Sequence, residues 1–163
     1  MSELAAMVIS TLTERSATLA TAESLTGGLI GATLTDVPGA SAVYLGGTVA
    51  YASRLKTDLL GVPTAMIEQY SVISDEVALA MAVGLQERTN ADWVVAVTGV
   101  AGPTPQEGHD PGEVHICIAG PRIPSLPAQR LVEHYAFEGD RASIRQQTVD
   151  AALQMLLRVV APV

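Results

Sequence analysis

Lysine is nearly absent from this chain of 163 residues: Lys56 is the only one, and arginine supplies the other eight of nine basic residues. A composition that writes almost every positive charge as arginine either keeps lysine for a place where an amine must lose its proton, or leaves one surface lysine by chance. Cysteine is equally scarce. Cys117 stands alone, which excludes an internal disulfide and suits a reducing, cytoplasmic compartment. With it, the three scattered histidines make no cluster of metal-ligand spacing. No apolar run approaches the roughly 18 residues needed to cross a bilayer. The stretch from Met1 to Ala17 has the acidic, amphipathic pattern of a helix rather than that of a leader, so the chain is expected to be soluble and unprocessed. Positive charge is also in the minority, nine basic residues against seventeen acidic, for a net charge of −8. That balance disfavours nucleic acid and anionic membranes as general partners, and any anion must be held locally.

What is present is a chain 48% apolar, long enough to bury a sizeable core, and without repeats, low-complexity stretches or a linker. Residues 1–163 are therefore expected to form a single domain. Leu4, Ala5, Val8, Ile9 and Leu12 recur at helical spacing and predict a helix over 2–16. A short strand follows from Thr18 to Ala22, then a small-residue helix opened by Gly27-Gly28 and running to about Thr35. Val43 to Tyr51 reads as a second strand, with a bulge or close backbone approach at Gly46-Gly47. Lys56 falls on a short helix ending before Gly61, and another turn or two of helix fills 64–70. Ser74 caps a helix over 74–89 whose stripe is Val77, Ala80, Met81, Gly84 and Leu85. The continuous apolar run from Asp92 to Thr98 marks a strand buried on both faces. Val114 to Ala119 and Arg130 to Phe137 are strands joined by loops too short for a helical crossover, so they are expected to pair antiparallel at one edge. Asp140 caps a final helix with the stripe Ile144, Thr148, Ala151, Met155 and Val159. The fold class is α/β, a three-layer α/β/α sandwich with a mixed five-stranded sheet.

Ligands of open α/β sheets gather at the carboxyl ends of strands, and three segments are expected to converge there. In Ala22-Glu23-Ser24-Leu25-Thr26-Gly27-Gly28 a strand turns into a helix with Ser24 at its top. Such a turn presents a nucleophile, with the backbone N–H groups of Thr26, Gly27 and Gly28 beyond it as oxyanion donors, although Ser24 is equally placed to be a helix N-cap. In the segment from Thr48 to Lys56, Tyr51 ends a strand and Lys56 lies one helical turn on. A serine needs a base, and a desolvated lysine, relaying through a tyrosine, supplies one; the alternative is a tyrosine on the core and a solvated lysine. Tyrosine and lysine also serve short-chain dehydrogenases, but at a different spacing and with a G-x-G-x-x-G loop that this sequence lacks. The third segment, Thr98-Gly99-Val100-Ala101-Gly102-Pro103, is a glycine-rich loop where Thr98, Gly99 and Gly102 can approach a ligand, or where glycine merely serves a turn. Arg141 and Arg145 open the last helix on one face, an arrangement suited to a phosphate monoester or to a solvated surface. His109, His115 and the third histidine read as core or surface residues.

Taken in order, Ala-Glu-Ser-Leu-Thr-Gly-Gly (22–28), Gly-Gly-Thr-Val-Ala-Tyr (46–51) with Lys56 and Leu-Leu-Gly-Val (59–62), Thr-Gly-Val-Ala-Gly-Pro (98–103) and Gly-Asp-Arg-x-x-x-Arg (139–145) resemble the CinA C-terminal domain family. The resemblance covers nearly the whole chain. It departs at Leu25, where many members have cysteine, and in the loop from Thr104 to Pro111. Family members include nicotinamide-nucleotide amidohydrolase, so the resemblance implies deamidation of nicotinamide mononucleotide to nicotinate mononucleotide and ammonia. It further implies a catalytic set of Ser24, Tyr51 and Lys56, with Thr26, Gly27, Gly28, Thr98, Gly99, Gly102, Arg141 and Arg145 on the substrate. No metal or cofactor is implied. The implied partners are a pyridine nucleotide and a second copy of the chain in a homodimer or higher homo-oligomer. A nucleotide-binding or regulatory module without turnover is the alternative.

Overall fold

A computed structural model describes residues 1–160. Of twelve elements, eleven follow the predicted order with ends displaced by a residue or two, and a 3-10 turn is added. Helix α1 (Glu3–Glu14) starts at Ser2, whose hydroxyl accepts the Ala5 N–H, and strand β1 (Leu19–Glu23) follows. Helix α2 (Leu29–Thr35) and a short 3-10 turn (Ala40–Ala42) lead to β2 (Tyr44–Val49). Helices α3 (Ser53–Leu60), α4 (Thr64–Tyr70) and α5 (Asp75–Thr89) precede β3 (Trp93–Gly99). Strands β4 (Glu113–Ala119) and β5 (Arg130–Ala136) come before the closing helix α6 (Arg141–Val160).

The sheet order is β2-β1-β3-β4-β5. β2, β1 and β3 run parallel, whereas β4 and β5 run antiparallel, as the short loops between them require. The β1/β2 register slips at Leu19/Ala20, skipping Leu45. Along β3, Trp93, Val95 and Val97 face a core shared with α1, α2 and α6, while Val94 and Ala96 face α5. This period-2 division of an all-apolar strand is what a three-layer sandwich demands. No helix among the described residues is long and apolar enough to cross a membrane.

Two stripes differ from their periodic reading. On α5, Ala78 and Ala82 are buried and Ala80 is only half-buried, because the helix lies across β3 and β4 with α3 and α4 on its flank. At the end of α6 the core position is Val160, and Val159 is exposed. Cys117, on β4 facing α5, is buried, and burial pushes its thiol up to about 12.

Candidate functional site

β1 and β3 are parallel, so Ser24 and the loop after Thr98 arrive together at one end of the sheet. They form a cleft of about 240 Å³ with Tyr51, Lys56, Gln106 and Arg141. That size is below the roughly 300–1,000 Å³ of typical ligand pockets and favours a small molecule.

Ser24 is not a helix cap. α2 begins at Leu29, its N-cap is Gly28 with φ +99°, and no side chain at that position caps it. The acceptor is Glu23, a residue the sequence reading passed over. Along β1, Leu19, Thr21 and Glu23 share a face, and the buried Glu23 carboxylate reaches the first turn of α2, accepting the N–H groups of Ile30 at 2.9 Å and Gly31 at 3.0 Å. Freed from capping, Ser24 turns its hydroxyl into the cleft.

There it meets Lys56. The lysine is 2% exposed, and its Nζ donates to Ser24 Oγ and to the Ala50 carbonyl, each at 2.9 Å. Burial lowers its pKa to about 8, against the opposing pull of the Glu107 carboxylate. When the amine is neutral, the contact to Ser24 can reverse, with Oγ–H donating to Nζ. A hydroxyl held against a neutral amine is an activated nucleophile.

Tyr51 is placed differently from the expected relay. It lines the cleft but is 56% exposed, and its hydroxyl accepts from Arg141 Nη2 at 2.7 Å rather than touching Ser24 or Lys56. The chain leaves β2 at Val49 and turns Ala50 inward, so its carbonyl, not the next phenol, meets the lysine. Arg141 also donates through Nη1 to the Gly102 carbonyl at 2.6 Å, which places a guanidinium across the cleft mouth. Asp140 accepts the Ser143 N–H and caps α6 beside it.

Arg145 does not join Arg141. One turn further along α6, it does not line the cleft and donates to the Leu25 carbonyl through Nε at 3.1 Å and to the Thr26 carbonyl through Nη2 at 2.8 Å. Thr26 is fully buried and bonded to Glu23, and neither it nor Gly27 nor Gly28 lines the cleft. The two glycines, at φ +60° and +99°, serve the turn itself. In the third segment Thr98, Gly99 and Gly102 all line the cleft. Thr98 Oγ1 donates to the Val72 carbonyl, and a Cβ on Gly99 would press on Glu113 and Val114 of β4.

Two histidines read as core or surface belong to a polar chain beside the cleft. His115 bridges Asp75 at 2.6 Å and Glu113 at 3.1 Å, while His109 bridges Glu113 at 2.9 Å and Ser71 Oγ at 3.0 Å. Burial of Glu113, which raises its pKa, is outweighed by the hydrogen bonds from His115 and His109, and the carboxyl sits below its ordinary value. The chain moors the loop that carries Gln106 to the start of α5. Its contacts join residues up to 40 positions apart, so no local pattern announces them. Among the described residues, no group of three or more His, Cys, Asp or Glu is placed to hold a metal ion.

Comparison with known proteins agrees with this architecture. The family model described as CinA C-terminal domain matches residues 1–160. A CinA-like protein of Frankia casuarinae is 44% identical over 97% of this chain, which spans 35% of that relative. A putative competence-damage inducible protein of Desulforamulus reducens is 45% identical over 85% of the chain and 32% of its own length. The chain thus spans about a third of the length of these curated relatives. Among solved structures, the competence/damage inducible protein CihA of Agrobacterium tumefaciens aligns with a TM-score of 0.89 at 36% identity, covering 96% of this chain and 93% of that one. The competence damage-inducible protein A of Klebsiella pneumoniae aligns at 0.90 and 30% identity, covering 98% and 96%.

Proposed function

We propose, from the premise that the chain belongs to the CinA C-terminal domain family, that it is a serine amidohydrolase of a small anionic carboxamide, with nicotinamide mononucleotide as the substrate. The observation that carries this reading is the buried 2.9 Å contact between Lys56 Nζ and Ser24 Oγ. A lysine poised near pH 8 is a base at the pH of a cytoplasm for a meaningful fraction of molecules.

Ser24 Oγ attacks the carboxamide carbon while its proton passes to the neutral Lys56 amine. The carbonyl oxygen becomes an oxyanion. On collapse, the C–N bond breaks and the leaving nitrogen takes the proton from Lys56, departing as ammonia. Water then attacks the acyl ester, gives its proton to Lys56, and the protonated lysine returns it to Ser24 Oγ as the carboxylate product leaves. In the loop over 99–102, which lines the cleft, the Val100 N–H is taken by the Glu113 carbonyl, and the backbone N–H groups of Ala101 and Gly102 are the oxyanion donors of this reading. Arg141 at the mouth binds the substrate phosphate, exchanging its contacts to Tyr51 and Gly102 for a charge-assisted pair. Tyr51 holds that guanidinium in place before substrate arrives.

The test is ammonia release from nicotinamide mononucleotide. The expected result is one ammonia for each nicotinate mononucleotide, lost in Ser24→Ala while the fold persists. Tight binding without turnover would replace this reading with that of a nucleotide-binding module.

A further inference from the structure

Two charged side chains beside the Ser24 loop spend their hydrogen bonds on the loop and the elements it joins. Glu23 accepts from the Thr26 hydroxyl at 2.7 Å and from the Ile30 and Gly31 N–H groups, with the Thr21 hydroxyl at 3.4 Å. The half-buried Arg145 spans the successive carbonyls of Leu25 and Thr26. Neither forms an ion pair among the described residues. A planar fork of fixed donors suits two adjacent carbonyls as no other side chain does. The segment it grips needs gripping. Gly27 and Gly28 follow at φ +60° and +99°, and a glycine pair in left-handed backbone is free to leave it.

We infer that Arg145, working against Glu23, is a positioning residue that locks the turn after Ser24 so that its Oγ stays on Lys56, and that it does not bind substrate. The inference rests on the reading of Ser24 as nucleophile. Its mechanical logic is short: the Leu25 peptide follows Ser24 directly, and releasing its carbonyl lets the turn swing and carries Oγ out of line. A displacement of about 1 Å at a reacting atom costs on the order of 10²-fold in rate. The same slack admits water to Lys56, which raises the amine back toward the value of a free lysine.

The experiment uses a fluorophosphonate probe that labels activated serines, so it needs no knowledge of the substrate. Labelling rates are measured against pH for the wild type, Ser24→Ala, Arg145→Gln, Arg145→Lys and the surface control Arg158→Gln, with melting temperature recorded for each. Expected results are no labelling in Ser24→Ala, a loss of about 10-fold or more in Arg145→Gln with its pH midpoint moved upward, and wild-type behaviour in Arg158→Gln. Arg145→Lys keeps the charge but engages one carbonyl at a time, so it recovers only part of the rate. If Arg145→Gln fails to fold, Arg145→Lys carries the comparison. Equal rates and midpoints in a folded Arg145 variant and the wild type overturn the positioning role alone. An unlabelled wild type overturns the nucleophile reading, and the positioning role with it.

Discussion

The Lys56 amine and the Ser24 hydroxyl meet at 2.9 Å across 32 residues of sequence, inside a cleft where the lysine is almost fully buried. The contact joins the end of β1 to the first turns of α3, and its direction depends on the charge of the amine.

Replacing Lys56 with arginine tests that dependence. Positive charge is retained, but a guanidinium keeps its proton at any workable pH. Turnover is expected to fall by about 10² to 10⁴, the usual contribution of a positioned base. The wild-type rate should rise with pH through a midpoint near 8, because only the neutral amine accepts the Ser24 proton. A near-normal kcat in Lys56→Arg would remove proton transfer from this residue.

Stability should carry the same signature. The folded pKa of Lys56 lies below the ordinary lysine value of 10.5, so between about 8 and 10.5 the unfolded chain binds more protons at this site than the folded one. Folding stability at this site therefore rises with pH in that window, by up to about 1.4 kcal/mol per pH unit. Below it the cost of burying the charge is constant. Urea unfolding of the wild type and Lys56→Met, compared at about pH 7.5 and about pH 9.5, isolates the effect, since other groups titrate alike in both. The difference should shift in favour of the wild type at the higher pH.

On the proposed function, Arg141 and Tyr51 bear on substrate recognition rather than proton transfer. Arg141→Gln is expected to raise KM for the mononucleotide much more than for the unphosphorylated riboside, by the roughly 1.5–3 kcal/mol of a charge-assisted contact. Tyr51→Phe removes the acceptor for Arg141 Nη2, so a smaller rise in KM is expected, with the pH midpoint unmoved. A displaced midpoint in Tyr51→Phe would restore the phenol to the proton relay.

Gly84 offers a check on packing. Alanine in mid-helix is favoured over glycine by about 1 kcal/mol, so propensity alone predicts that Gly84→Ala stabilises α5. A Cβ there would overlap the Leu60 carbonyl oxygen at the end of α3, backbone that has little room to yield. Overpacking of this kind costs roughly 1–3 kcal/mol or more, and a net fall in melting temperature is expected. A variant as stable as the wild type would mean that α3 can withdraw from α5.

The elements were legible because their signals are local. Ser74 caps α5 as its sequence suggests, accepting the Val77 N–H, and the apolar run after Asp92 becomes the central strand that it resembles. Ser24 and Lys56 could be nominated because each lies at the end of an element whose direction the pattern fixes. Where side chains point beyond those ends was not legible. Tyr51 and Arg145 each had two readings open, and contacts made 90 and 119 residues away gave each of them a third. Glu23 was hidden by its neighbour: a serine before a helix is the commoner cap, and only the late start of α2 transfers that duty to the carboxylate.

The solitary thiol on β4 has a practical corollary. A buried thiol pushed up to about 12 presents almost no thiolate to solvent, so Cys117 should stay silent to alkylating reagents while the protein is folded. A cysteine introduced at the exposed Thr104, on the cleft loop, would then be the only reactive thiol in the molecule. A fluorophore or spin label can thus be mounted beside Ser24 without altering the core, and its signal would report substrate arriving in that cleft alone.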